Sequence, residues 1–297
     1  MKTYIIYNPH AGTGNGATEA QKLTALYQGE VLLQDMTKIE SYAELLAPLR
    51  AEDQLLICGG DGTLNRFVND TEGLEFPFDI LYYAVGTGND FLNDLGKKPG
   101  CEPFSIKQYL TDLPFVEVNG KTHRYLNGIG FGVDGYCCEV GDQLKEKSDK
   151  PVNYTAIAIK GLLFHYKPAT ATVTVDGKSY TYKKTWIAAS MNGRYYGGGM
   201  NTAPAQDRLN DEGKLTLVVM HGSGKLKTLM VFPSIFKGEH VKHKEMVAIH
   251  RVHEVTVEFN MPTALQIDGE TLTGVTSYTV STGKKANKKV EETVTTA

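Results

Sequence analysis

With 297 residues and four cysteines, the chain is long enough for two moderate domains, each with its own core. A formal charge of −3 supplies no global basic field, which argues against nucleic acid as a partner and leaves only local basic surfaces. No run of about eighteen apolar residues could cross a bilayer, and no signal peptide precedes the first apolar segment, so the expectation is a cytoplasmic protein whose contact with a membrane is at most peripheral. Cys58, Cys101, Cys137 and Cys138 lack zinc-ligand or CxxC spacing and read as reduced thiols, Cys58 as a small apolar residue at a strand end.

In chain order, Tyr4 to Tyr7 reads as a strand, Asn8-Pro9-His10-Ala11-Gly12-Thr13-Gly14-Asn15-Gly16 as a loop, and Ala17 to Tyr27 as a helix. The loop is not a Walker A motif, because no lysine occurs between Lys2 and Lys22, and its spacing does not argue for a dinucleotide. Glu30 to Gln34 is a second strand, followed by Thr37 and a helical pattern through Tyr42, Leu45, Leu46 and Leu49. Asp53 to Cys58 is a third strand and runs into Gly59-Gly60-Asp61-Gly62-Thr63-Leu64-Asn65, from which a helix can start. The glycines let backbone amides approach phosphate oxygens, the helix start adds a positive end, and Thr63 adds a hydroxyl. Asp61 would repel a phosphate unless a cation lay between them, which points to a metal–nucleotide complex; the competing reading is a tight turn in which Asp61 caps amides.

The pattern then repeats. Ile80 to Ala84 leads into Val85-Gly86-Thr87-Gly88-Asn89-Asp90-Phe91 and a helix carrying Phe91, Leu92 and Leu95. Two strand, glycine turn, acid and helix units within about thirty residues have βαβ spacing, and in a doubly wound sheet both turns emerge at the carboxyl edge where ligands bind. Residues 1–122 are therefore expected to form a doubly wound α/β nucleotide-binding domain. From Arg124 onward strands dominate: Thr170 to Val175 and Ser179 to Ala188 flank the hairpin signal Asp176-Gly177, and Lys214 to Met220, Val252 to Phe259 and Tyr278 to Ser281 follow. Helices are expected near Val133 to Lys147 and Val152 to Phe164, and the lysine-rich 284–289 segment reads as a frayed tail. Gln266-Ile267-Asp268-Gly269-Glu270 places two carboxylates around a glycine turn; such a pair suits proton transfer from a hydroxyl, and it also arises in hairpins with no chemistry.

Together, NPHAGTG, GGDGTLN, VGTGNDF, YYGGGM with TAPAQ after it, and LQIDGE resemble the diacylglycerol kinase catalytic-domain family, including short bacterial lipid kinases and sphingosine kinases. The resemblance spans nearly the whole chain; GGDG alone is shared with NAD kinases and phosphofructokinases. It implies a β-sandwich second domain over 123–297, with ATP and Mg2+ as cofactors. The nucleotide would be met by Asn8, Pro9, Gly12, Thr13, Gly14, Thr37, Gly59, Gly60, Asp61, Gly62, Thr63, Asn65, Gly86, Thr87, Gly88 and Asn89. Thr37 reads equally as a capping or loop hydroxyl. The resemblance further implies magnesium held through water by Asp61 with Asp90, with Glu117 as a third acid, although Glu117 on sequence alone is an exposed strand carboxylate. Glu270 would be the general base and Asp268 its support.

A second, structural magnesium is implied at the carbonyls of Leu209 and Lys214 and the carboxylate of Glu212, where relatives usually place aspartate. A second departure is Arg66, where short bacterial members commonly carry glutamate. The implied activity is phosphoryl transfer from ATP to a lipid hydroxyl, diacylglycerol or a related lipid, at the inner face of a membrane. Alternatives are an NAD kinase-like enzyme and an inactive lipid- or nucleotide-binding regulator. Lysines at 225, 227, 237, 242 and 244 around Leu229 to Phe232 and Ile235-Phe236 suit either a bilayer surface or a helix with its apolar side in the core. The glycines of YYGGGM suit close approach of a lipid or a bulged strand. Sequence leaves the oligomeric state open, a homodimer included.

Overall fold

The computed structural model describes residues 1–86, 89–145, 147 and 154–283; Thr87 and Gly88 of the expected nucleotide turn, and the lysine-rich tail, lie outside the described residues. The first part runs β1 (Lys2–Tyr7), α1 (Gly16–Leu23), β2 (Glu30–Asp35), α2 (Tyr42–Leu46), β3 (Gln54–Gly59), α3 (Asp61–Asp70), β4 (Asp79–Ala84), α4 (Asp90–Asp94), β5 (Phe104–Ser105) and α5 (Lys107–Leu110). The strands form a five-stranded sheet of order β2-β1-β3-β4-β5, parallel except for β5. Because alternate side chains face opposite ways along a strand, Ile5, Leu56 and Cys58 pack with Ala20 and Leu23 of α1. Tyr4, Ile6, Leu55 and Ile57 pack on the other face with Tyr42, Leu46, Leu64 and Phe67 of α2 and α3. Burial on both faces explains why these strands read as continuous apolar runs.

The second part comprises β6 (Phe115–Val118), β7 (Lys121–Arg124), β8 (Gly128–Gly132), α6 (Val133–Lys145), α7 (Tyr154–Lys160), a π-helical turn Gly161–His165, β9 (Ala169–Val175), β10 (Lys178–Thr185), β11 (Ile187–Met191), β12 (Tyr195–Tyr196), β13 (Met200–Asn201), β14 (Leu215–Met220), α8 (Lys225–Val231), β15 (Val247–Val252), β16 (Glu254–Ile267) and β17 (Glu270–Ser281). All but the short β12–β13 pair join one ten-stranded sheet. It doubles over because the long β16–β17 ladder shifts register between Glu258 and Thr263; the first half of β16 pairs with β9 and the second half with β8, which is how a bulge re-aims a strand. Phe131 stacks on Phe259 at 4.0 Å and meets Tyr278 edge-on in the enclosed core.

Three expectations about boundaries change. The hairpin β6–β7 is hydrogen-bonded through β6 to β17, so residues 115–124 build the second sheet although most of them precede the division expected after residue 122. The strand expected over Ser179 to Ala188 breaks into β10 and β11, because the ladder bulges between Tyr182 and Thr185 and Lys184 adopts φ 51°. The helix expected over 152–164 is α7 followed by the π turn.

Candidate active site

Three turns meet at the carboxyl edge of the parallel sheet. The N–H of Asn8 donates to Cys58 O at 3.2 Å and that of Val85 to Gly59 O at 2.8 Å, while Asn8 Nδ2 donates to Thr63 Oγ1 at 3.3 Å. Such closeness depends on missing side chains: a Cβ on Gly16 would fall 1.9 Å from Asn8 O, and one on Gly59 would fall 2.3 Å from Thr63 Oγ1. Gly12, Thr13, Asn15, Tyr83, Val85 and Gly86 line a cleft of about 240 Å3 between the first and third turns. Asn89 donates to Gly86 O at 2.8 Å. Of the expected nucleotide set, Asn8, Gly12, Thr13, Gly59, Thr63 and Gly86 are thus tied together by bonds or by this cleft. Thr37 donates its N–H and its hydroxyl to Asp35 Oδ1, at 3.0 and 2.7 Å, so that Asp35 is the cap there.

The acids are anchored on backbone amides. Asp61 accepts from the N–H of Asp90 at 2.7 Å and of Phe91 at 3.3 Å, holding the first turn of α4. Asp90 in turn accepts from Gly198 and Gly199, at 2.8 and 2.7 Å, so the glycine loop of the second part clasps it. Asp268 accepts from Leu126, Asn127 and Gly128 at 2.5, 2.9 and 2.9 Å, and from Asn65 Nδ2 at 2.9 Å. Asn65 lies on α3 and Asp268 on the β16–β17 turn, so this bond crosses between the two parts.

Burial, then the charge of Asp90, pushes the Asp61 carboxyl up to about 8, with Asp268 adding to it and the N–H bonds opposing. Asp90 and Asp268 are also pushed up, chiefly by burial, and Asp268 adds to the rise at Asp90. Enclosed like charges that raise each other are the condition a divalent cation relieves. Asp61 and Asp90 retain lone pairs beyond their amide bonds, so the residues fit magnesium held through water. Among the described residues no three acids, histidines or cysteines are grouped to hold a metal directly.

Asp268 and Glu270 separate in role. Asp268 and Gly269 have φ of 47° and 93°, the two left-handed residues of a tight hairpin turn, and the turn folds the Asp268 carboxylate back onto β8 and α3. Glu270 opens β17 opposite Ile267 and is exposed. Glu117 does not join them: it pairs with Thr279, nine residues along β17 from Glu270, or on the order of 30 Å, and it is the exposed strand carboxylate of the simpler reading.

The second metal site that the resemblance implies lies in the turn over residues 209–214. Glu212 faces outward and pairs with Lys214 Nζ at 2.9 Å, while the Lys214 carbonyl accepts from Gln206 Nε2 at 3.1 Å and Asn210 Nδ2 at 2.9 Å. Leu209 gives its N–H to Asp207. Side-chain amides thus bond the carbonyl of Lys214, and the Glu212 carboxylate is exposed. Arg66 bonds Asp70 one helical turn on, at 3.2 Å, on the exposed side of α3.

Three features were missed in the sequence, two of them for want of any local signal. Asp94, at the end of α4, receives Arg194 Nε at 2.8 Å and Arg208 Nε at 2.5 Å, with Arg208 also bonding Leu126 O and Asn127 Oδ1. These partners are more than eighty residues apart in the chain. Asn69 exchanges bonds with the backbone of Arg124, adding a further tie from α3. Asp134 is buried beside Gly130 and accepts from Tyr196 Oη at 2.7 Å, and among the described residues its Oδ1 has no partner; its position at the start of a helix after a glycine-rich strand was the available hint.

The chain matches the model of the diacylglycerol kinase catalytic domain over residues 2–111 and that of the YegS C-terminal NAD kinase beta sandwich-like domain over residues 127–283. A diacylglycerol kinase of Mycobacterium tuberculosis is 26% identical over 219 residues, covering 71% of this chain and 69% of that protein. A diacylglycerol kinase of Bacillus subtilis is 24% identical over 277 residues, covering 90% and 88%. A diacylglycerol kinase crystal structure from Bacillus anthracis superposes with a TM-score of 0.59 at 19% identity, covering 95% of this chain and 93% of that one, a likeness of fold.

Proposed function

Because the chain belongs to the diacylglycerol kinase catalytic-domain family, and so is a lipid kinase, we propose that it transfers the γ-phosphoryl group of Mg-ATP to the hydroxyl of diacylglycerol or a closely related lipid. The observation that carries this reading is the enclosed Asp61, Asp90 and Asp268 cluster between two glycine turns, with Glu270 exposed two residues beyond Asp268. The nucleotide lies along the Gly12–Thr13 and Gly86 cleft, its phosphates reaching the start of α3, where amides and the positive helix end favour anions. A magnesium ion held through water by Asp61 and Asp90 would shield the phosphate charge.

Glu270 takes the proton from the acceptor hydroxyl onto its carboxylate as the oxygen attacks the γ-phosphorus in line and the bond to the bridging oxygen breaks, releasing ADP. Asp268 fixes the turn that carries Glu270, through Asn65 and the amides of residues 126–128. Asp134, with one unfilled acceptor oxygen, offers a buried partner to a second polar group of the lipid. Association with the membrane is peripheral; no helix among the described residues is long and apolar enough to cross one.

Incubation with Mg-ATP and separate micellar diacylglycerol, sphingoid base and phosphatidylglycerol, beside soluble NAD, tests the assignment. Phosphorylated diacylglycerol, abolished by EDTA, is expected. Phosphorylation of NAD alone would replace the reading by its nearest rival, and nucleotide binding with no acceptor phosphorylated would favour a regulator.

A further inference from the structure

The Arg208 side chain is buried where α4 meets the segment before β8. On one side its Nε donates to Asp94 Oδ2 at 2.5 Å, and its Cζ stands 4.7 Å from the centre of the Phe91 ring. On the other side Nη1 donates to Leu126 O and Nη2 to Asn127 Oδ1, both at 3.1 Å. A planar guanidinium serves three acceptors in fixed directions, which a lysine ammonium on its flexible stem does not. A glycine keeps the space open: a Cβ on Gly193 would fall 2.2 Å from Arg208 Nη2 and 3.0 Å from Asp94 Oδ2.

The residues that Arg208 touches are among those that hold the acids. The N–H of Phe91 donates to Asp61 at 3.3 Å, beside that of Asp90 at 2.7 Å. The N–H groups of Leu126 and Asn127, with that of Gly128, hold Asp268. Asp61 and Asp90 belong to the first part of the chain and Asp268 to the second, so one guanidinium touches a supporting residue on each side. Arg194 shares Asp94 but does not cross in this way, since among the described residues its side-chain hydrogen bonds end on Asp94. Gly198 and Gly199 reach across to Asp90, and Asn65 to Asp268. Each of those ties ends on one acid, whereas Arg208 reaches the supports of both.

We propose that Arg208 is a positioning residue for phosphoryl transfer: it sets the separation between the Asp61 and Asp90 side of the cleft and the turn that carries Asp268 and Glu270. In-line transfer needs the base and the phosphate-side acids in register, and a displacement of about 1 Å can cost about a hundredfold in rate. The inference rests on the lipid-kinase reading for the reaction it serves, while the coupling of the two supports is measurable without turnover.

The test compares wild type with Arg208→Lys, which keeps a cation beside Asp94 but loses the fork, and with Gly193→Ala, which removes no charge and pushes on Nη2. Both should lower kcat for diacylglycerol about tenfold or more, with the KM for ATP within about twofold of wild type. Because the effect runs through the placement of Glu270, adding Arg208→Lys to Glu270→Gln should lower kcat by less than about threefold further. A full additional loss in that background, or a wild-type kcat in both single variants, would overturn the proposal. Amide hydrogen exchange on the same proteins without lipid reads the coupling itself. Exchange at Asp90 and Phe91 and at residues 126–128 should quicken together by about tenfold or more in Arg208→Lys, with the amides of β1 and β14 unchanged. Faster exchange on one side alone or on neither, or a uniform rise across the chain, would also overturn it. If the two sides quicken together and wild type phosphorylates no lipid, it is the kinase reading that fails.

Discussion

Asp61 holds two N–H groups at the start of α4 while facing two other acids, and the balance falls toward the protonated form, with its carboxyl up to about 8. In the unfolded chain the same group loses its proton near the usual 3.8. Between those values the folded protein keeps a proton that the unfolded one has released, so stability falls as pH rises through the window. Asp61→Asn has no such proton. In melts without nucleotide, its midpoint minus that of wild type should therefore climb from about pH 5 to about pH 8, whatever its offset from the lost amide bond. A pH-independent difference would mean that Asp61 is an ordinary ionised cap. The motif made Asp61 conspicuous in the sequence; that Asp268 joins it was not legible, because the contact depends on a hairpin turn two hundred residues downstream folding its carboxylate back to Asn65.

At the scale of elements, α4 is gripped at both ends by the second part of the chain. Gly198 and Gly199 hold Asp90, and Arg194 and Arg208 hold Asp94 one turn later. The Asp94 and Arg208 side chains are 5% and 4% exposed, and a buried pair is costly to break because the remaining charge stays enclosed. Arg208→Met should cost roughly 3 kcal/mol in urea unfolding, tempered by Arg194 remaining on Asp94; a loss below about 0.5 kcal/mol would show a pair that surface mutations resemble. Periodicity and glycine turns made α3, α4 and the parallel strands legible. The clasp was not legible, since Arg194 and Arg208 sit in turns with no regular pattern. The Lys225 to Lys244 segment divided between its two readings: Val231, Phe232 and Ile235 enter the core, and Leu226 and Met230 stay outside it.

For the whole molecule, a parallel nucleotide-type sheet and a doubled antiparallel sheet meet along α3, α4 and the turn at Asp268. Glycine-turn and strand spacing made the first sheet legible, and strand density made the strand-rich second part legible, while the sandwich form of that part came from the family resemblance. β6 and β7 read like one more unit of the first sheet until their pairing with β17 is seen. Of the metal acids that the resemblance implies, Asp61 and Asp90 follow glycine turns that bring them together, while Glu117 and Glu212 are exposed on a strand and a turn. The central claim is that Glu270, exposed beside the anchored Asp268, is the base in transfer from ATP to a lipid hydroxyl. The most direct measurement is the initial rate of diacylglycerol phosphorylation by wild type and Glu270→Gln, with ATP affinity measured on the same samples. A rate reduced by about a hundredfold or more with ATP affinity unchanged is the expected result. An unaltered rate would contradict the account.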